Sequence, residues 1–242
     1  MIISRTFARN FCFTLFLLFL MVFSSCTARI EAELREGGAV ELGFQTSMGS
    51  RAVALISSLR SFAGDETDEL LLNGPSIAQS LTEVPGIRSV SIRNISSSSL
   101  EGNISISNIA DFLASGDTNS NFVTYNEGQQ NSSIIITLDR ETAPELIFYL
   151  SPDILEYFHA IFAPAIQGDI ISRQEYLDLL ASFYGRPLSD EIAAATIQVQ
   201  IRFPRQITSV QGGSFTGRQA EFSIPLVDIL VLEQPLRYEV RW

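Results

Sequence analysis

Alternation of apolar and polar residues dominates the chain after its first 26 residues and predicts β-strands. Apolar and charged residues alternate from Arg29 to Arg35, the pair Gly37-Gly38 follows, and the alternation resumes at Val40. Two alternating runs around a glycine pair are typical of a β-hairpin. Further strands are predicted at residues 87–95, 100–106, 122–125, 133–138, 196–203, 207–210, 220–224 and 236–242.

Apolar residues at helical spacing predict helices between these strands, at residues 52–59, 76–81, 108–113 and 226–232. A longer helical stretch, residues 143–195, separates two strand-rich halves. Within it, Ser151-Pro152 is a helix start, and Ser172 with Glu175 has the spacing of a capping box. A third helix is predicted at residues 190–195. The predicted fold is α+β, an antiparallel sheet packed against helices with a helical insertion near residues 143–195.

The first 25 residues follow a different pattern, an apolar run from Phe11 to Phe23 preceded by Arg5 and Arg9. This run is shorter than the roughly 20 residues that a helix needs to cross a bilayer. A basic start before a short apolar run is typical of a secretory signal peptide. The alternative is a buried N-terminal helix.

The residues Phe23-Ser24-Ser25-Cys26 end the apolar run, and they resemble a bacterial lipobox. The resemblance implies cleavage before Cys26 and attachment of diacylglycerol to its sulfur, usually with further acylation of the new amino group. Two or three long acyl chains give a practically permanent membrane anchor. The alternative is ordinary signal cleavage, which leaves a free thiol. We therefore expect a signal peptide at residues 1–25 and one envelope domain at residues 26–242, periplasmic or surface-exposed.

Composition restricts the chemistry of this domain. The chain has no lysine, one histidine and two cysteines, and Cys12 would leave with the signal peptide. Schiff-base chemistry, a phosphate-loop lysine and a multi-histidine metal site are thereby excluded. From Cys26 onward, 14 arginines stand against 27 acidic residues. This charge argues against nucleic-acid binding, although solubility alone also accounts for it.

The motifs that come nearest to catalytic or metal sites are incomplete. Glu156 and His159 have the Glu-x-x-His spacing of a di-metal site, but no second histidine exists. His159 could also act as the base of a Ser-His-Asp triad, but the sequence has no Gly-x-Ser-x-Gly nucleophile elbow. Residues 117–121 begin like a calcium loop, but Phe122 replaces its glycine and Gly128 its closing glutamate. We predict no catalytic residue, no metal and no cofactor, and hence a protein that is not an enzyme.

Aromatic residues concentrate in the helical insertion, which holds 8 of the 18 that follow residue 25. They are expected to form core. The alternative is an apolar cleft between these helices and the sheet, large enough for an acyl chain. The residues predicted to line such a cleft are Phe158, Phe162, Phe183 and Tyr184.

Residues 105–113 also resemble residues 223–230, and each segment passes from a strand into a short helix with an early aspartate. The resemblance predicts a weak internal repeat, with coincidence as the alternative.

The C-terminal part carries a family resemblance. Ile197 to Pro204, Gly212-Gly213, Gly217 and Phe222 resemble the strand, Phe-Pro turn and glycine-rich hairpin of the LppM-like bacterial lipoproteins. Arg205 departs from that family, which tends to have glycine there. Residues 26–38 are similar to the family too, and the whole chain resembles uncharacterised spirochaetal lipoproteins of the treponeme type. The LppM-like resemblance implies an envelope domain that accommodates lipidic molecules.

Two hypotheses of function follow. The first is a non-catalytic protein, held to the membrane through Cys26, that binds another envelope protein or has a structural role. The second is a carrier of lipid or another hydrophobic ligand in the cleft of the insertion.

Overall fold

The computed structural model describes residues 27–63, 72–115, 122–128, 131–143, 161 and 163–242. Its strands are β1 Thr27–Leu34, β2 Val40–Ser47, β3 Ile87–Ser96, β4 Ser99–Ile106, β5 Val123–Asn126, β6 Ser133–Leu138, β7 Thr196–Arg202, β8 Ser209–Gln211, β9 Ser214–Thr216, β10 Gln219–Pro225 and β11 Leu236–Arg241. Its helices are α1 Ser50–Ala63, α2 Gly74–Thr82, α3 Ile109–Ser115, α4 Pro164–Gln167, α5 Arg173–Tyr184, α6 Arg186–Ala194 and α7 Leu226–Val231. These elements confirm the predicted α+β fold.

The strands form two sheets. Seven strands pair in the order β3-β4-β2-β1-β7-β10-β9, and four in the order β5-β6-β11-β8. The predicted hairpin around Gly37-Gly38 is confirmed, since β1 pairs with β2 from Thr27 opposite Ser47 to Leu34 opposite Val40.

One pairing differs from the predicted antiparallel sheet. β1 runs parallel to β7, with Thr27 opposite Thr196, while the other neighbouring strands of the described residues are antiparallel. Parallel neighbours need a long connection between their ends. Here the connection between β1 and β7 holds most of the chain, including the helical insertion. Alternation within a strand does not show which strand becomes its neighbour or in which direction that neighbour runs, so this pairing was not predicted.

The glycine pair Gly212-Gly213 forms a corner rather than part of a simple hairpin. β8 before it belongs to the four-stranded sheet, and β9 after it belongs to the seven-stranded sheet. Gly212 has φ +82°, and a Cβ there would lie 2.7 Å from the Tyr238 ring and 2.8 Å from the Arg237 carbonyl oxygen. Only glycine lets the chain change sheets in this space. The glycine-rich hairpin was expected between the predicted strands 207–210 and 220–224, but these two strands do not pair. β10 pairs instead with β9, which was not predicted, and β8 pairs with β11 in the other sheet.

An inter-sheet cluster packs between the two sheets. The Phe203 and Trp242 ring centroids are 4.5 Å apart, and Phe222 meets Tyr238 edge-on at 5.4 Å. The buried members of the inter-sheet cluster are Leu34, Val40, Phe203, Ile207, Ala220, Phe222, Val240 and Trp242.

A helical cluster joins α4, α5, α6 and α7, and the apolar side of α1 packs on it. Its buried members are Ala163, Tyr176, Leu180, Leu188, Ile192, Val227, Leu230 and Val231. The capping box of α5 is confirmed, because Ser172 and Glu175 each bond the other's backbone nitrogen. α6 begins at Arg186, earlier than predicted, with Pro187 in its first turn, where the missing N–H costs no hydrogen bond. The predicted helix start at Ser151-Pro152 lies outside the described residues.

A third cluster packs α1 and α2 against the other end of the large sheet. Its buried members are Ile56, Leu72, Ile77, Ile92 and Leu100. The start of α1 is tied to α6, because the Glu191 carboxylate accepts hydrogen bonds from the backbone nitrogens of Arg51 at 3.1 Å and Ala52 at 2.9 Å. A carboxylate suits this position because the N-terminus of a helix carries positive partial charge.

Both segments of the suspected repeat do lead from a strand into a short helix, β4 into α3 and β10 into α7. Asp111 and Asp228 each lie in the first turn of their helix. The two junctions differ in detail, since Asn108 accepts hydrogen bonds at the start of α3 and Pro225 precedes α7. A true repeat remains a prediction.

Candidate functional site

The two faces of the seven-stranded sheet differ in polarity, as alternation along its strands requires. One face is apolar, and it is covered at one end by α1 and α2 and at the other by the four-stranded sheet. Between these ends lies a central apolar strip, formed by Ile30, Ala32, Leu42 and Ile104. All four are half-buried, and none joins the clusters that the described residues form.

The opposite face of the sheet is polar. Gly43 lies at its centre, and its neighbours across the strands are Glu31 and Asn103. The missing side chain leaves two shallow depressions there, of about 290 Å³ and 400 Å³. Around them stand amide, carboxylate and guanidinium side chains: Arg29, Glu33, Glu41, Gln45, Glu101, Gln200, Arg202 and Gln219.

Several charges on this polar face are already paired. Arg29 Nε lies 2.8 Å from Glu31, Arg88 lies 2.8 Å from Glu41, and Arg93 contacts Glu101. Exposed pairs of this kind stabilise the fold by at most about 1 kcal/mol. Among the described residues, no group of three or more histidine, cysteine, aspartate or glutamate side chains is placed to hold a metal ion. The carboxamide, carboxylate and guanidinium groups of this face can donate and accept hydrogen bonds.

The predicted aromatic cleft falls only partly within the described residues. Phe183 is 67% exposed near the end of α5, and Tyr184 beside it is half-buried, with 6.4 Å between the ring centroids. Burial raises the pKa of Tyr184. Phe158 and Phe162 lie outside the described residues, so the cleft that the four residues would line remains a prediction.

Tyr176 is the aromatic residue that the helical cluster buries most deeply. It is fully buried on α5, and its hydroxyl donates a hydrogen bond to the Ile161 carbonyl oxygen at 2.9 Å. Burial raises the pKa of this hydroxyl far above its usual value of 10.0. The hydroxyl is thus held as a neutral donor with a structural role.

A small pocket of about 280 Å³ lies between Tyr125, Arg205 and Trp242, and no pattern in the sequence predicted it. Arg205 donates hydrogen bonds there to the Gly128 carbonyl oxygen at 3.0 Å and to Ser132 Oγ at 2.6 Å. Burial raises the pKa of Tyr125 in the same pocket. Arg205 thereby ties the turn after β7 to Gly128 and Ser132.

Other residues singled out in the sequence lie outside the described residues. They are Cys26 with the preceding signal, the incomplete calcium loop at 117–121, and Glu156 with His159. Among the described helices, none is both long and apolar enough to span a bilayer.

Comparisons with known proteins give one structural similarity. No protein-family model matches the sequence, and no curated protein matches it. The folded domain of the LppM protein of Mycobacterium tuberculosis, determined by NMR, is similar over 90% of this chain and 88% of that chain, with 9% identity and a TM-score of 0.39. This weak structural similarity is to a domain of the LppM type, the family to which a resemblance was expected from the sequence. The comparisons give no support to the spirochaetal resemblance.

Proposed function

We propose that this chain is a lipid-anchored, non-catalytic protein of a bacterial cell envelope that acts by binding another envelope component. The export signal and Cys26 support the location, and the absence of lysine with a single histidine supports the non-catalytic role. The observation that carries the binding role is the open polar face around Gly43. Its carboxamides, such as Gln45 and Asn103, both donate and accept hydrogen bonds.

The anchor is tested by Cys26→Ala, with Cys12→Ala as the matched control. We expect Cys26→Ala to release the protein from membranes and to abolish labelling by a fatty-acid analogue. Cys12→Ala should behave as wild type, because this residue leaves with the signal peptide. Labelling that persists in Cys26→Ala would contradict the proposed anchor.

Binding at the polar face is tested by photocrosslinking in living cells. A photoreactive residue placed at Asn103 should give an adduct of one discrete mass, because this exposed side chain borders both depressions. The control position is Gln174, which is exposed on α5 away from the sheet. Equal adducts at both positions, or none at Asn103, would overturn the proposed surface.

The central apolar strip favours a second candidate function, a carrier of lipid or another hydrophobic ligand. Apolar side chains at the centre of a seven-stranded sheet are ordinarily covered, yet Ile30, Leu42 and Ile104 remain half-buried. Covering them with an acyl chain would contribute about 25 cal/mol for each Å² of apolar surface removed from water.

Native mass spectrometry of the chain from Thr27 to Trp242 tests this second function. We expect a co-purifying lipid that is lost in Leu42→Gln and retained in Ile95→Gln. Ile95 is 49% exposed near the end of β3 and lies outside the strip. Wild-type protein without lipid would reject the carrier function and leave the polar-face proposal standing.

A further inference from the structure

Several strands of the large sheet begin or end directly beside the predicted lipid on Cys26. β1 begins at Thr27, and Cys26 is the residue before it. Thr27 lies opposite Ser47 of β2 and opposite Thr196 of β7, and Ser47 lies opposite Ser99 of β4. We define these residues, with Met48 and the turn Ser96–Ser98, as the Thr27 edge. Because one residue of extended chain spans only about 3.4 Å, a lipid on Cys26 would lie beside the Thr27 edge.

The Thr27 edge is uncharged and rich in hydroxyl groups. Two hydrogen bonds satisfy backbone nitrogens of this edge. Met48 N donates to the Ser98 carbonyl oxygen at 3.0 Å, and Ser98 N donates to Ser96 Oγ at 3.3 Å. Next to the edge, Arg51 is exposed, and the Glu191 carboxylate is already bound by two backbone nitrogens at the start of α1. None of the described residues that define the edge carries a carboxylate, which limits repulsion between these residues and anionic headgroups in a chain with an excess of acidic residues.

The opposite end of the same strands is charged. The turn between β1 and β2 contains Arg35 and Glu36, and both are exposed. Arg202 is the last residue of β7 and lies at the same end of the strands as this turn. Arg218 lies in the turn before β10. The eight residues of β1 separate the two ends by about 25 Å.

We infer that the Thr27 edge lies against the lipid headgroups of the membrane, with the turn at Arg35 and Glu36 directed away from it. The inference rests on the proposed lipid anchor, because a diacylglycerol on Cys26 leaves no chain length for a spacer. In this orientation the strands rise from the membrane, and the polar face around Gly43 stands open beside it.

Fluorescence quenching on the full lipidated chain tests this orientation. Ser97→Cys and Glu36→Cys place a thiol at exposed positions on opposite ends of the strands. Only the introduced thiol reacts with a dye, because Cys12 leaves with the signal and the Cys26 sulfur carries lipid. The labelled proteins are inserted into vesicles of phosphatidylethanolamine and phosphatidylglycerol that carry a quencher on the headgroup.

We expect quenching at position 97 to exceed quenching at position 36 severalfold. Equal quenching, or stronger quenching at position 36, in protein that floats with the vesicles would overturn the orientation and leave the anchor intact. Protein that fails to float and lacks the mass of the lipid would overturn the anchor and the orientation together. Arg51→Cys and Arg218→Cys form a second pair, with the same expected order.

Discussion

The inter-sheet cluster and the helical cluster are built from different parts of the chain. The inter-sheet cluster joins residues from Leu34 to Trp242, and its largest contacts are between aromatic rings. The buried members of the helical cluster all come from residues 163–231, and most are aliphatic. The first cluster therefore depends on strand pairing between distant segments, while the second draws its buried residues from a shorter stretch of the chain, α4 to α6 and, after four strands, α7. Substitutions in the inter-sheet cluster should therefore lower the free energy of unfolding more than substitutions in the helical cluster.

The largest expected effect is that of Trp242→Ala in the inter-sheet cluster. The Trp242 side chain is 3% exposed and contacts Phe203, so its removal should lower the free energy of unfolding by about 3–5 kcal/mol. Urea unfolding measures the change. Phe183→Ala is the control, because that ring is 67% exposed and its loss should change stability by no more than about 0.5 kcal/mol. Similar losses in both variants would contradict the packing described for Trp242.

The corner between the sheets should tolerate no side chain. In Gly212→Ala, the left-handed backbone costs about 1–2 kcal/mol and crowding against Tyr238 adds about 1–3 kcal/mol. Gly168, at the end of α4, has the same φ of +82° with open space around it, so Gly168→Ala should show only the first cost. Thermal unfolding of both variants separates the two contributions. Equal losses would mean that the corner is not crowded.

The helical cluster is expected to lose less when its buried hydroxyl is removed. Tyr176→Phe retains the ring but leaves the Ile161 carbonyl oxygen without this donor, which should cost about 1–2 kcal/mol. Urea unfolding would measure the loss, with Tyr184→Phe as a half-buried control. A loss in Tyr176→Phe as large as that in Trp242→Ala would remove the proposed distinction between the clusters.

The smallest effect concerns Glu239 on β11, and it depends on pH. Hydrogen bonds from Arg241 at 2.5 Å and Arg237 at 2.8 Å lower the pKa of Glu239 below its usual 4.5. A lowered pKa stabilises the fold above the unfolded-state pKa, and this stabilisation is lost as the pH falls through the folded-state pKa.

Glu239→Gln should therefore be less stable than wild type near neutral pH, and the difference should vanish in acid well below pH 4.5. Unfolding curves at several pH values measure this convergence. A difference that is constant with pH would show that ionisation of Glu239 contributes nothing.

Local signals in the sequence predicted the helical region better than the arrangement of the sheets. The capping box at Ser172 and Glu175 fixed the start of α5, and alternation located most strands within a few residues. Alternation says nothing about which strands become neighbours, so the β1–β7 pairing and the two-sheet division were not predicted. Glu191 at the start of α1 was missed for the same reason, because 139 residues separate it from Ala52.

The polar face around Gly43 was not predicted as a site, and only part of it follows from the sequence. Alternation along β1 and β2 already separates apolar from polar residues, so the two faces of the sheet follow from the sequence. The depressions around Gly43 do not, because they require knowing that Glu31 and Asn103 flank it across the strands. The exposure of Phe183 was likewise not predicted, since helical spacing alone does not show which neighbours cover a side chain.

The parallel pairing of β1 with β7 has a consequence for folding if the chain is exported as proposed. β1 would be among the first mature segments to cross the membrane, yet residues 196–202 must follow before its second edge is covered. Contacts so distant along the chain form slowly because a large loop must close first. In the proposed export, the centre of the sheet can therefore be completed only after residues 196–202 have crossed, which places the closure of the large sheet late in translocation.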